Sequence, residues 1–300
     1  MSSPAVVRSL PGLDAPVGER FIRRAMRSRL FVFGGVISLI YLVLAVVGLV
    51  LLAVPSLHHL YLDQQILSAF ATPGSHGLLG TDELGRSMEF RLLAGIAVSI
   101  GISVTVTVVA ILVGGVVGLT AGYFGGRYDQ FVSAVIDVTW GFPVILLAVV
   151  LAGVLAPGIK TVVLAIALII WAGFARILRG EALSLRERDF VKAARALGVP
   201  PLRIIWRHLV PNVVAPTMVL TSYYLAISVI AEAGLSFIGV GIQLPTPSLG
   251  AMIADGQNYW SVSAWIVVLP AAVLATLVIG LNALGDGLRD VLDPRMRGRL

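Results

Sequence analysis

The chain has 300 residues, of which 58% are hydrophobic and 13% charged, with a net charge of +6 and no cysteine. A soluble domain carries roughly 25% charged residues, so this composition excludes an ordinary water-soluble fold and calls for a bilayer as solvent. The absence of thiols excludes disulfides, thiolate metal sites and cysteine nucleophiles.

Residues 1–30 are polar and basic, with Arg8, Arg20, Arg23, Arg24, Arg27 and Arg29. An apolar run follows from Phe31 to Val54. At about 1.5 Å per residue it reaches roughly 36 Å, enough to cross a hydrocarbon core of about 30 Å with some tilt. A cleaved signal peptide would have an apolar region of only about 7–15 residues, so this run is read as an uncleaved anchor. The stretch 55–91 is mixed and polar, and Leu92–Thr120 is the second apolar run. The third extends from about Val138 to Ala156, with Asp129 and Asp137 on its approach. The fourth, about Thr161–Ile177, comes after a short turn at Pro157–Gly158. A polar loop covers 178–212, and the fifth span is about Val213–Ala233. The region 234–261 is rich in Gly, Pro and Ser and has no lysine or arginine. The sixth span is about Ser263–Leu284, and a charged tail, 285–300, closes the chain. The expected fold is an all-α integral membrane protein of about six transmembrane helices, spanning 31–284.

Basic residues set the orientation. With the N-terminus in the cytoplasm, only Arg86, Arg91 and Lys160 of the 22 lysines and arginines fall on the opposite side. Both termini are therefore expected to be cytoplasmic. The same distribution accounts for the basic charge without nucleic acid as a partner.

Several local features carry competing readings. Gly114, Gly118 and Gly122 recur every four residues. This small-residue spacing lets helix backbones approach closely in lipid, either across a dimer or within the subunit. Pro143, inside the third run, is expected to kink a helix. Glu232, near the end of the fifth span, is either a functional buried acid or an interfacial carboxylate. Asp137 sits where its helix has not yet entered the membrane. Gly153 to Gly158, followed by Ile159-Lys160-Thr161, nearly spells a phosphate-binding loop, but Ile159 displaces the lysine and the reading fails. His58, His59 and His76 share one outer loop without the spacing of a metal site, so they are read as solvated. No nucleophile elbow, metalloprotease helix or paired-carboxylate pattern appears, so the chain is not expected to be an enzyme.

The loop Arg179–Asn212 reads RGEALSLRERDFVKAARALGVPPLRIIWRHLVPN. Helix formers occupy Glu187–Leu197, and Gly198 with Pro200-Pro201 should end that helix sharply. A second short helix is expected over Leu202–Leu209, stopped by Pro211. The small residues Ala193 and Ala194 let another protein's groove approach the backbone, which points to a docking element.

With these residues the loop resembles the EAA loop of ABC importer permeases: Ala193-Ala194, then Gly198, with Pro211 at the family's distance. The leading glutamate of that pattern is Lys192 here. HGLLGTDELGRSMEFRLLAG (His76–Gly95), RHLVPN (Arg207–Asn212), EAGLSFIGVGIQLPTPSLGAM (Glu232–Met252) and LGDGLRDVLDPR (Leu284–Arg295) resemble the oligopeptide/dipeptide branch, the OppC/DppC-type subunits. The resemblance covers roughly residues 20–295.

The resemblance implies a type I ABC importer permease in the bacterial cytoplasmic (inner) membrane. Its implied partners are a second permease subunit, two cytoplasmic ATPase subunits or one fused ATPase, and an external substrate-binding protein. The chain would hold no cofactor, since ATP and magnesium would bind the ATPase subunits. Coupling would run through 186–211, with Arg188, Asp189, Lys192, Ala193, Ala194, Arg195, Gly198 and Pro211 as its residues. The implied cargo is a dipeptide or oligopeptide, with nickel complexes, glutathione or haem as alternatives. Thr221, Tyr223, Tyr224, Ser228 and Glu232 are the candidate pathway residues. From another class, a stand-alone secondary transporter would need mid-span charges and an internal repeat, and neither is visible.

Overall fold

The structure is a computed structural model, and it describes residues 25–292. The basic residues Arg8, Arg20, Arg23 and Arg24, and the tail beyond 292 with Arg295, lie outside the described residues. Among those described, the chain is almost wholly helical, and its sole β feature is a single bridge between Thr81 and Ser87.

Nine helices carry the fold: α1 Arg29–Ala53, α2 Met88–Phe124, α3 Gly126–Trp140, α4 Val144–Leu155, α5 Ile159–Arg186, α6 Asp189–Ala196, α7 Pro201–Phe237, α8 Leu249–Gly256 and α9 Trp265–Leu292. Five of them, α1, α2, α5, α7 and α9, are long and apolar enough to cross a membrane. The pair α3–α4 makes a sixth if the two count as one span.

The apolar surface is distributed as lipid solvation requires. Val36, Leu39, Ile40, Val43, Val46 and Leu49 of α1 are all exposed. A contiguous face of that kind is untenable in water and ordinary against hydrocarbon. The buried core is built from Val106, Ala110, Ile166, Ile170, Phe174 and Leu178, where α2 meets α5. The glycine ridge makes that contact possible. A Cβ at Gly114, Gly118 or Gly122 would lie 2.5 Å from the carbonyl oxygen of Trp171, Ala175 or Arg179 respectively. The three glycines thus pack within the subunit, the second of the two readings that their spacing left open.

Three expectations need correction. The third apolar run is not one kinked helix. It is two helices that meet at 84° across Gly141–Pro143. Pro143 sits outside both, with an extended ψ of 124°, and starts α4. Proline fixes its own φ and disfavours helix in the residue before it, so the chain breaks there instead of bending. The twelve residues of α4 reach only about 18 Å. The second correction concerns Pro211, which does not stop a helix. A π-turn over Ile205–Leu209 precedes it, with the Val210 N–H bonded to Ile205 O, and α7 runs on to Phe237. The wider turn absorbs Pro211, which has no N–H to give to the ladder. Third, α2, α5 and α9 extend beyond their apolar runs, to Phe124, Arg186 and Leu292. Their polar ends pack on neighbours, so tertiary contact continues a helix where hydropathy falls.

A short exposed helix at one end and a buried carboxylate at the other

At one end of the bundle α5 stops at Arg186, and Arg188 turns the chain into α6. Val191 and Ala194, three residues apart, are the buried face of α6 and join the core with Ala182, Ile204, Ile205 and Leu209. The helix ends in a Schellman arrangement. The Val199 N–H donates to Ala194 O at 3.1 Å and the Gly198 N–H to Arg195 O at 2.9 Å, with Gly198 at φ +73°. Glycine is required there because other residues pay about 1–2 kcal/mol in that conformation.

Arg195 holds α6, and Arg186 the end of α5, against the last turn of α2. The Arg195 guanidinium lies 4.6 Å from the centroid of the Tyr123 ring, and its Nε donates to the Tyr123 hydroxyl at 3.4 Å. Arg186 donates to Gly122 O at 3.3 Å. Lys192 faces Glu187 at 3.5 Å, within its own chain. The remaining surface of α6 and the start of α7 is open. Phe190, Leu197, Leu202 and Trp206 are exposed there, interleaved with Arg188, Asp189, Lys192, Ala193, Arg203 and Arg207. An apolar patch with a basic border is the chemistry of a protein-binding surface. Pro211 is exposed on α7 below it, beyond the π-turn.

The α3–α5 contact carries ion pairs. Arg179 chelates Asp129, with Nη2 at 2.8 Å from Oδ2, and Arg176 pairs with Asp137 while stacking 4.4 Å over Trp140. Asp137 is exposed, outside the core.

At the opposite end Glu232 is fully buried. Ser99 donates to Oε2 at 2.7 Å and Ser236 to Oε1 at 2.8 Å. The two serines pass the connection on: Ile242 N–H donates to Ser236 Oγ at 3.2 Å, and Leu249 N–H to Ser99 Oγ at 3.4 Å. Glu232 thus fastens the segment after α7, and the start of α8, to α2. It reaches hydroxyl donors inside the protein and no solvent. Substituting Glu232 with alanine removes the acceptor for two buried donors, at a cost of about 1–3 kcal/mol. Thermal unfolding of the purified protein should show the loss, and Glu232→Gln should recover part of it.

The candidate pathway residues do not line one surface. Tyr224, Ser228 and Glu232, at four-residue intervals, are buried on one face of α7. The Tyr224 ring packs 4.6 Å from Phe174, over Gly173. Thr221 donates to Thr217 O inside its own helix, and Tyr223 is half exposed. His58 and His59 bond Leu52 O and Ser56 O through their rings.

Sequence reasoning missed a buried charge cluster just before α2. Asp82, Arg86 and Arg91 are each no more than 4% exposed. Asp82 Oδ1 accepts from the Leu84 and Arg86 N–H groups at 2.9 Å, and Oδ2 faces Arg86 Nε at 2.6 Å and Arg91 Nε at 3.1 Å. Arg86 also pairs with Glu83 at 2.7 Å. The four-residue spacing of Asp82 and Arg86 was the available signal.

Residues 114–298 match the family described as "Binding-protein-dependent transport system inner membrane component". A putative peptide transport system permease of Brucella suis biovar 1 (strain 1330) is 38% identical over 290 residues, 96% of each chain. The dipeptide transport system permease DppC of Bacillus subtilis (strain 168) is 33% identical over 281 residues, 92% of this chain and 85% of that one. The glutathione transport system permease GsiD of Pectobacterium atrosepticum is 32% identical over 279 residues, 93% and 91% of the two chains. Among solved structures, a chain of the MetNI methionine ABC transporter superposes with a TM-score of 0.57 at 20% identity, covering 69% of this chain and 98% of that one. At that identity the likeness concerns the fold.

Proposed function

This chain belongs to the family of inner membrane components of binding-protein-dependent transport systems, and we propose that it moves peptides by strokes delivered to α6. It is the permease of an ABC importer of the peptide class. The relatives named for peptides, dipeptides and glutathione all carry short peptide-bonded cargo in their names. The stand-alone secondary transporter is not favoured.

In this reading both termini face the cytoplasm, and the flanks 1–30 and 285–300 lie there. The α6 end then meets two ATPase domains, which bind ATP and magnesium, while a substrate-binding protein delivers cargo to the far end. A second permease subunit completes the pathway. Hydrolysis belongs to the ATPase partners, and this chain transmits it. The coupling residues are those of α6 and its flanks, Arg188 to Gly198, with Pro211 supporting the start of α7. Arg195 ties α6 to α2, and Val191 and Ala194 seat it in the core with Ala182 of α5 and Ile204 of α7, so a push on α6 reaches the transmembrane bundle. Tyr223, half exposed on α7, is the pathway candidate that the packing leaves open.

The observation that carries this reading is the short helix α6, anchored to α2 on one face and open on the other. The decisive experiment is ATPase activity of the reconstituted complex in lipid, with and without its binding protein and a dipeptide mixture. Stimulation is expected with both present and absent after deletion of Lys192–Gly198, with membrane insertion retained. Full transport by the deletion variant would sink the assignment of α6. Assembly without peptide stimulation would keep the permease and change the cargo.

A further inference from the structure

At the end of the bundle away from α6, a cavity of about 10 Å3 lies between the turn that precedes α2 and the short helix α8. That is room for about one water. Glu83, Arg91 and Asp255 form its polar wall, and Met88, Met252 and Ile266 its apolar wall. Two buried atoms that face this region have no protein partner among the described residues: Nη1 of Arg91 and Oδ2 of Asp255. Arg91 is 2% exposed.

Two of the surrounding charged groups are already engaged. Asp82 is saturated by four donors, and Arg86 is taken by Asp82 and Glu83. Burial pushes the carboxyls of Glu83 and Asp255 above the ordinary carboxylate range, and the positive charge of Arg91 pulls both back. A buried guanidinium N–H and a buried carboxylate oxygen without partners are each costly, and one water in the cavity that both residues line gives each a partner.

We propose that Arg91 and Asp255 form a water-bridged ion pair across this cavity, and that the pair is a positioning device holding α8 to the first turn of α2. The helix α8 is then held at both ends. Leu249, at its start, hangs from Ser99 in the Glu232 network, and Asp255, at its finish, hangs from Arg91. The inference concerns the fastening of α8 and is independent of cargo and of ATPase partner.

Hydrogen exchange over residues 249–256 in the assembled transporter, in lipid nanodiscs, tests it. Asp255→Ala should speed exchange in α8 by about tenfold, because local opening no longer has to break the bridge. Helix propensity predicts the opposite sign, since alanine is the best helix former. Arg91→Met should have a similar effect, and the double variant should exchange no faster than the singles. If Arg91→Met fails to assemble, Asp255→Ala against Asp255→Asn decides, the amide keeping an acceptor for the water and falling between. Exchange in Asp255→Ala equal to or slower than the parent would overturn the proposal. So would effects of the two single variants that multiply in the double.

Discussion

Replacing Asp82 with alanine is expected to cost about 3–5 kcal/mol, the range for breaking a buried ion pair by deleting one partner. Both Arg86 and Arg91 would remain in a site where they are 4% and 2% exposed. Their charges would face each other with only Glu83 and Asp255 to compensate. Two backbone donors, Leu84 and Arg86, would lose their acceptor as well. The readout is the thermal unfolding midpoint of the detergent-purified transporter, together with the yield of monodisperse protein. Asp82→Asn should fall between parent and alanine variant, because the amide oxygen still accepts the two backbone bonds while the charge is gone. A midpoint unchanged in the alanine variant would mean that the cluster is solvated and contributes nothing.

Gly118→Val should be the second large lesion. The new Cβ would lie 2.5 Å from Ala175 O and 3.0 Å from its Cα. Those are backbone atoms on the facing helix, so no rotamer change relieves the clash. The helices α2 and α5 must move apart, and the contact that forms the main core opens along its length. Overpacking costs typically about 1–3 kcal/mol, and rigid backbone on both sides places this site at or above the upper end. Gly115→Val, three residues away, meets only the end of the Leu178 side chain at 3.7 Å and should be tolerated. The comparison separates packing from propensity, since both substitutions add the same β-branched residue to the same helix. Equal unfolding midpoints for the two variants would contradict the assignment of the ridge.

Much of this architecture was legible before any coordinates. Long apolar runs announce spanning helices because lipid accepts no unpaired backbone and a helix pairs its own. The end of α6 was legible at Gly198 because a left-handed residue followed by prolines leaves few alternatives. What escaped was direction and distance. The run 138–156 is apolar on both sides of Pro143, and hydropathy is blind to an 84° turn. Pro211 reads as a stop, since sequence does not display the π-turn that accommodates it. Glu232 was noticed as an acid, yet its donor Ser99 lies 133 positions away. Arg91 and Asp255 are as remote from each other, and only the fold brings them together.

The continuity of α2 has a mechanical consequence. Its 37 residues form one unbroken rod about 55 Å long. Tyr123, near one tip, is gripped by Arg195 of α6. Arg91 and Ser99, near the other, hold the two ends of α8. No joint separates these grips, and the glycine ridge stiffens the rod by laying α5 flush against it. A tilt imposed at the first tip therefore appears at the second with its sense reversed, as on a seesaw. The grip on α6 and the grip on α8 are the two ends of a single rigid part.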